Sequence, residues 1–189
     1  NLAIFGYLKA NTRKGKHLIT SKIEHPSVLE AFRSLENSGY EVDYIGVTNE
    51  GMIDINKLAE KLRNDTALVS IMLVNNETGA ISPIDKISRV IRLKNPDTAF
   101  HVDAVQAFGK MHINPEKLNI QLLSFSSHKI HGPKGVGGLY VGKGVRIEPI
   151  FYGGGQESGL RSGTENVPGI AGFGLATEMS IKAVDENAA

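Results

Sequence analysis

Four short runs hold most of the side chains able to do chemistry, and each follows an apolar stretch. They are Glu24-His25-Pro26, Asn75-Asn76-Glu77-Thr78-Gly79, His101-Val102-Asp103-Ala104-Val105-Gln106 and the longer Ser124-Phe125-Ser126-Ser127-His128-Lys129-Ile130-His131-Gly132-Pro133-Lys134-Gly135. A lysine desolvated at a strand end frees its amine to form a Schiff base, and Lys129 sits between an apolar strand and a glycine-proline turn. Asp103, in an apolar strand, is suited to hold a cationic ring nitrogen. His25 before Pro26 is suited to stack on a planar ring. Ser126, Ser127 and His128 are potential donors to a phosphate held without a Walker motif. Each residue taken alone also has an ordinary reading: a solvated surface lysine, a turn carboxylate, a satisfied polar histidine, common turn residues. Four such endings in one chain exceed what packing alone requires.

The elements that must position these groups follow from periodicity. Short strands are expected at 17–22, 41–47, 99–105, 122–126 and 138–141, and the continuous apolar run LVSIMLV (68–74) reads as a strand buried on both faces. Between them lie helices. Val28, Phe32 and Leu35 share one face over 28–37; Asp54 caps a helix whose apolar face is Ile55, Leu58 and Leu62; Ser82-Pro83 opens another with Ile84, Ile87 and Ile91 inward. Residues 2–8 and 167–189 also read as mostly helical. Strands alternating with helices predict a three-layer α/β/α fold around a mostly parallel sheet, in which ligands sit at the carboxyl ends of the strands. Of 21 glycines, 14 lie between Gly132 and Gly174, where backbone must approach something closely or take positive φ.

Composition bounds the function. The 189 residues suit one compact domain or a large piece of one, and 41% hydrophobic content supports a packed core. Lys plus Arg total 21 against 20 Asp plus Glu, so nothing favours nucleic acid or a membrane surface as partner. No apolar run approaches the roughly 18 residues of a membrane span. There is no cysteine, which excludes disulfides, thiolate metal ligands and a thiol nucleophile within these residues.

In combination the runs SFSSHKIHGPKGVGGLYV, HVDAVQ, VNNETG, EHPSV and GGGQESGLRSGTENVPG strongly resemble the cysteine desulfurases of the NifS/IscS type. These are class V aminotransferase-like, fold-type I pyridoxal-phosphate enzymes. The resemblance runs through nearly the whole chain in order. It implies that Lys129 carries the cofactor and moves the proton at the substrate α-carbon, and that Asp103 pairs with the protonated pyridine nitrogen. It further implies that Gln106 and Asn76 contact the phenolate edge, and that His25 stacks on the ring and shuttles protons. By the same resemblance, Ser126 and His128 would hold the phosphate, with Ser127 in the same cofactor-binding set, and Thr164 would reach the phosphate of the neighbouring subunit of a homodimer. Ser127 departs from a frequent glycine and Val105 from a common threonine. Direct cofactor contacts are not expected of Lys134, His131, His101 or Arg161, and no metal site is expected.

The resemblance also implies parts that these residues do not contain. The chain begins on Asn1 within a helical pattern and ends on Ala188-Ala189, which reads as an excised central part of the large, cofactor-binding domain (1–189). An upstream phosphate loop, the persulfide-forming cysteine, the substrate-carboxylate arginine and the small C-terminal domain are expected elsewhere. The implied whole enzyme is cytoplasmic. It takes sulfur from L-cysteine, leaves alanine, and passes a persulfide to iron–sulfur scaffold or other sulfur-acceptor proteins, with this chain alone inactive. Two alternatives remain beside it: another class V reaction (aminotransferase or selenocysteine lyase), or a non-catalytic piece serving dimerisation or scaffold binding.

Overall fold

The computed structural model describes residues 1–187. Six strands form one sheet: β1 (His17–Ser21), β2 (Glu41–Ile45), β3 (Thr66–Met72), β4 (Ala99–Asp103), β5 (Leu122–Ser126) and β6 (Gly137–Val141). Their order is β2-β1-β3-β4-β5-β6. The first five run parallel, and β6 returns antiparallel beside β5. Helices α1 (Tyr7–Ala10, preceded by a π-helical turn over Leu2–Gly6), α2 (Pro26–Asn37), α3 (Ile55–Lys61) and α4 (Ile84–Lys94) cover the sheet. The chain ends in α5 (Val167–Lys182) and α6 (Val184–Asn187); of the helix expected to run to Ala189, the last two residues lie outside the described ones.

Alternation along the strands divides the core in two. Ile19, Val69, Phe100 and Leu123 face α3 and α4 with Leu58, Ile87 and Ile91. Their neighbours Leu18, Leu68, Ala99 and Leu122 face α1 and α2 with Ile4, Leu8, Phe32 and Leu35. Period-2 strands buried on both sides give the continuous apolar runs seen in the sequence. Each fully buried Leu, Ile or Phe contributes about 1.5–3 kcal/mol. α2 lies on one face and α3 and α4 on the other, as right-handed crossovers require when the chain first moves outward to β2 and then back past β1 to β3. The reversal falls between β1 and β3, so the rim at their carboxyl ends is the switch point at which such sheets bind ligands.

Helix starts largely follow the sequence. Asp54 accepts from the Lys57 amide at 3.0 Å and caps α3, and the His25 ring accepts from the Ser27 amide at 3.2 Å ahead of Pro26. The Ser82-Pro83 expectation is corrected by one residue. Pro83 itself is the N-cap of α4, and no side chain caps it. Ser82 is buried and gives its amide to the Leu73 carbonyl at 2.8 Å, holding the return from the loop after β3 instead.

One polar tie crosses the interior. The fully buried ring of His101 bridges Ser70 Oγ at 2.7 Å and Ser124 Oγ at 2.8 Å, linking β3, β4 and β5. A neutral imidazole with one donor and one acceptor nitrogen suits two hydroxyls, and burial pulls its pKa from 6.5 down to about 3. The unfolded chain then binds a proton that the fold excludes, so stability present above pH 6.5 is lost as pH falls toward about 3. The contribution is on the order of 5 kcal/mol over that window. Urea melts at falling pH are expected to show the midpoint dropping in wild type and the drop flattening in His101→Gln; parallel slopes would exclude His101 as the source.

Candidate active site

The carboxyl ends of β1, β3, β4 and β5 enclose a cleft of about 310 Å³ lined by His25, Ser27, Met72, Val74, Asn76, Asp103, Val105, Gln106, Ser126, His128 and Lys129. That is the lower end of the size range of small-molecule sites. The donor set is an amine, a carboxylate, two carboxamides, two imidazoles and hydroxyls, all supplied at one rim by strand ends and the segments that follow them.

Lys129 lies on a tight 3-10 turn (Ser127–Ile130) directly after β5 and is half-buried. Among the described residues its amine makes no hydrogen bond or ion pair, so it is available to a ligand. The turn is held rigid by packing. A Cβ on Gly132 would come within 2.1 Å of Ser127 Oγ, and one on Gly138 within 2.2 Å of the Phe125 ring. That ring stacks on Phe108 with centroids 4.3 Å apart. Part of the glycine richness therefore serves close approach around the lysine turn.

Asp103 ends β4 with only 7% of its surface exposed. Burial pushes its carboxyl up; the Val105 N–H, which donates to it at 2.9 Å, and the nearby His25 pull it back. On the opposite wall His25 is exposed, its Nδ1 held by Ser27 Oγ at 2.8 Å. Ser126 Oγ and His128 Nδ1 are 2.8 Å apart, which orients the imidazole at the cleft mouth. Asn76 is exposed and donates to Glu77 at 2.7 Å, while Gln106 is half-buried on the same wall as Asp103.

Of the sequence-derived set, Lys129, His25, Asn76, Asp103, Gln106, Ser126 and His128 meet in this cleft. Ser127 and Thr164 do not. Ser127 is fully buried behind the turn, its amide taken by the Val136 carbonyl at 3.1 Å and its hydroxyl unpartnered. It opens the 3-10 turn on its buried side, packed against Gly132, whereas Ser126 and His128 line the cleft. Thr164 is exposed beside a separate cleft formed with 135–139 and 157–166. His101 lies inside the sheet, and no grouping of three or more His, Cys, Asp or Glu suited to a metal occurs among the described residues.

Two residues without an assigned role in the sequence emerge beneath the rim: Glu24 and Asn75, both buried. Asn75 Oδ1 accepts from the Glu77 amide, the Thr78 amide and the Thr78 hydroxyl at 3.0, 2.9 and 3.1 Å, while Nδ2 donates to the Ile23 carbonyl at 3.0 Å. It thus ties the β1 loop to the β3 loop. The available signal was position alone, since each directly precedes a cleft residue.

All 189 residues match the family described as aminotransferase class-V. The chain belongs to that family. Its members are pyridoxal-phosphate enzymes, and the cleft's donor set fits that cofactor: an amine for its aldehyde, a buried carboxylate for its ring nitrogen and a Ser-His pair for its phosphate. The chain is 49% identical to "Cysteine desulfurase IscS 1" of Archaeoglobus fulgidus, covering 100% of this chain and 48% of the relative. It is 48% identical to "Cysteine desulfurase, mitochondrial" of Saccharomyces cerevisiae, covering 100% and 38%. A solved "NIFS-LIKE PROTEIN" superposes with a TM-score of 0.94 at 44% identity, over 98% of this chain and 51% of that one. The class V, fold-type I architecture is therefore shown, and the chain spans about half the length of the relatives it matches.

Neighbouring asparagines separate framework from site. Asn75→Ala is expected to lower stability by about 2–4 kcal/mol, because four polar groups lose a buried partner. Asn76→Ala, at an exposed position, is expected to stay within about 0.5 kcal/mol of wild type. Chemical denaturation of the two variants checks this, and equal losses would contradict the assignment.

Proposed function

We propose that this chain is the central part of the cofactor-binding large domain of a cysteine desulfurase, which removes sulfur from L-cysteine and leaves L-alanine. The observation that carries the reading is the convergence of Lys129, Asp103, Gln106, His25, Ser126 and His128 on one cleft. It is joined by 48–50% identity to several proteins named cysteine desulfurase.

Pyridoxal phosphate, when bound, supplies a conjugated ring able to spread the negative charge left at a deprotonated substrate carbon. The chain supplies the rest. Lys129 would hold the cofactor through its amine, and that nitrogen, when free, would take the α-proton of the substrate. Asp103 keeps a proton on the ring nitrogen by ion pairing in a site screened from water, where such a contact is stronger than in bulk. Gln106 and Asn76 donate to the oxygen edge, and His25 covers the ring face and exchanges protons with solvent. Ser126 and His128 donate to the phosphate and so anchor the ring against rotation. The sulfur-accepting thiol is assigned to residues beyond these 189, which contain no cysteine. The persulfide so formed supplies iron–sulfur cluster or thio-cofactor assembly. No helix among the described residues is long and apolar enough to cross a membrane.

Dimerisation belongs to the same reading. Val167, Ile170, Leu175, Met179 and Ile181 leave much of α5 apolar and exposed, with Phe151 and Tyr152 exposed in the loop before it. Thr164 stands outside this chain's own Lys129 cleft, as a residue serving the phosphate of a second copy would.

Borohydride reduction of the protein incubated with pyridoxal phosphate, followed by peptide mapping, is expected to find the cofactor on Lys129. Lys129→Ala should lose that label, and in the whole enzyme alanine formation from L-cysteine should fall by at least about 10²–10⁴-fold. A label concentrated on another lysine would overturn the assignment.

A further inference from the structure

Glu24 is the one carboxylate buried beneath the cleft rim that the proposed chemistry leaves unused. It is 4% exposed and lies in the loop between β1 and α2, directly before His25. One oxygen, Oε1, accepts from Ser21 Oγ and from the Met72 amide, the latter at 2.9 Å, so it joins the end of β1 to the end of β3. The other, Oε2, is buried without a partner among the described residues. Leaving a charged oxygen buried and unpaired is costly, which favours the neutral carboxyl over the carboxylate here. Of the groups acting on Glu24, Ser21 on β1 and the Met72 amide on β3 are neutral donors, and Asp103 at the end of β4 is a like charge. Its loop neighbours Lys22 and His25 are exposed. Burial, with the like charge of Asp103 adding a smaller push, raises Glu24 to about 8 against the pull of the Ser21 and Met72 donors.

We propose that Glu24 is a positioning residue of the cofactor cleft: its carboxyl clasps the end of β3 through the Met72 amide and fixes the loop that presents His25. The part of this that concerns the cofactor rests on the pyridoxal-phosphate reading; the clasp itself does not. An unpaired Oε2 suits a protonated carboxyl better than a carboxylate, and a protonated Glu24 adds no second charge that would compete for the proton Asp103 is placed to hold. Asn75 closes the same gap from the other side through the Ile23 carbonyl, so the two walls that carry His25 and Asn76 are tied at two points.

Three variants of the full chain test this: wild type, Glu24→Gln and Glu24→Ala. Gln keeps the acceptor oxygen but cannot ionise; Ala keeps neither. Without cofactor, amide exchange at Met72 is expected to rise about 10-fold or more in Glu24→Ala and to stay near wild type in Glu24→Gln. With cofactor, the pyridoxal phosphate concentration giving half-maximal borohydride labelling of Lys129 is expected to rise about 10-fold in Glu24→Ala and less than about 2-fold in Glu24→Gln. The third reading is a pH profile. A carboxyl raised from 4.5 to about 8 in the fold loses stability as pH climbs through that window. Glu24→Gln should therefore gain on wild type with rising pH, by up to about 10³-fold in the folding equilibrium. Wild-type exchange at Met72 in Glu24→Ala, Gln behaving like Ala, or a pH-independent gap between Gln and wild type each overturns the proposal. Failure of Lys129 labelling in all three proteins, with the Met72 and pH results as expected, would instead remove the cofactor reading and leave the clasp standing.

Discussion

A carboxylate that ends a buried strand must be neutralised, solvated or paired, and the cleft is arranged around that constraint. Asp103 follows Phe100, His101 and Val102, all inside the sheet, and is itself almost fully covered. Within the chain it receives the Val105 amide and the electrostatic influence of His25. That is a modest set for a buried acid, because a single amide does not replace the hydration of two oxygens. A cationic ring nitrogen placed against it would relieve the deficit. The energy stored in an under-solvated carboxylate thereby becomes affinity for the cation.

His101, two residues earlier on the same strand and hence on the same face, solves the opposite problem. Both of its ring nitrogens are engaged by serines of the flanking strands, and burial keeps it uncharged. It therefore fixes the relation of β4 to β3 and β5 and has nothing left to offer a ligand. Residue type and spacing alone do not distinguish the two, since both are ionisable residues in the run HVDAVQ, and only the family resemblance assigns them different roles. What separates them is partner count: the residue satisfied by the protein is framework, and the one left short of partners is site.

Most of the architecture was legible because the strands are short, apolar and separated by helices with a clear inward stripe. LVSIMLV could only be a strand covered on both faces, and Ile84, Ile87 and Ile91 could only be one helix face. The rim was legible for a related reason: in a parallel sheet every strand delivers its next loop to the same edge, so four polar endings must converge. Misplacements came where one residue has two plausible partners. The position of Ser82 before Pro83 predicts a cap, but α4 starts one residue later, and Ser82 is buried with its amide bonded to Leu73 across the loop. Ser127 sits in the middle of the most informative motif, yet the 3-10 turn that it opens carries its hydroxyl inward against Gly132. Glu24 and Asn75 were visible as letters beside His25 and Asn76, but their partners are 48 and 52 residues away in sequence, and no local pattern reports such a contact.

The same accounting explains why the lysine turn needs so much glycine. Lys129 must be free at its amine but fixed at its backbone, and a one-turn 3-10 segment has too few hydrogen bonds to fix itself. Rigidity comes instead from outside. Gly132 closes against Ser127, and Gly138 lets the Phe125 ring lie flat across β6, where that ring also stacks on Phe108. A methyl group at either glycine would push the β5 end and move the amine relative to Asp103, which is held by a different strand. The acid and the amine are thus positioned by independent devices, one a buried strand end and the other a glycine-lined turn. Only the parallel register of β4 and β5, beginning at His101 against Leu122 and reaching Asp103 against Ser124, keeps them in step.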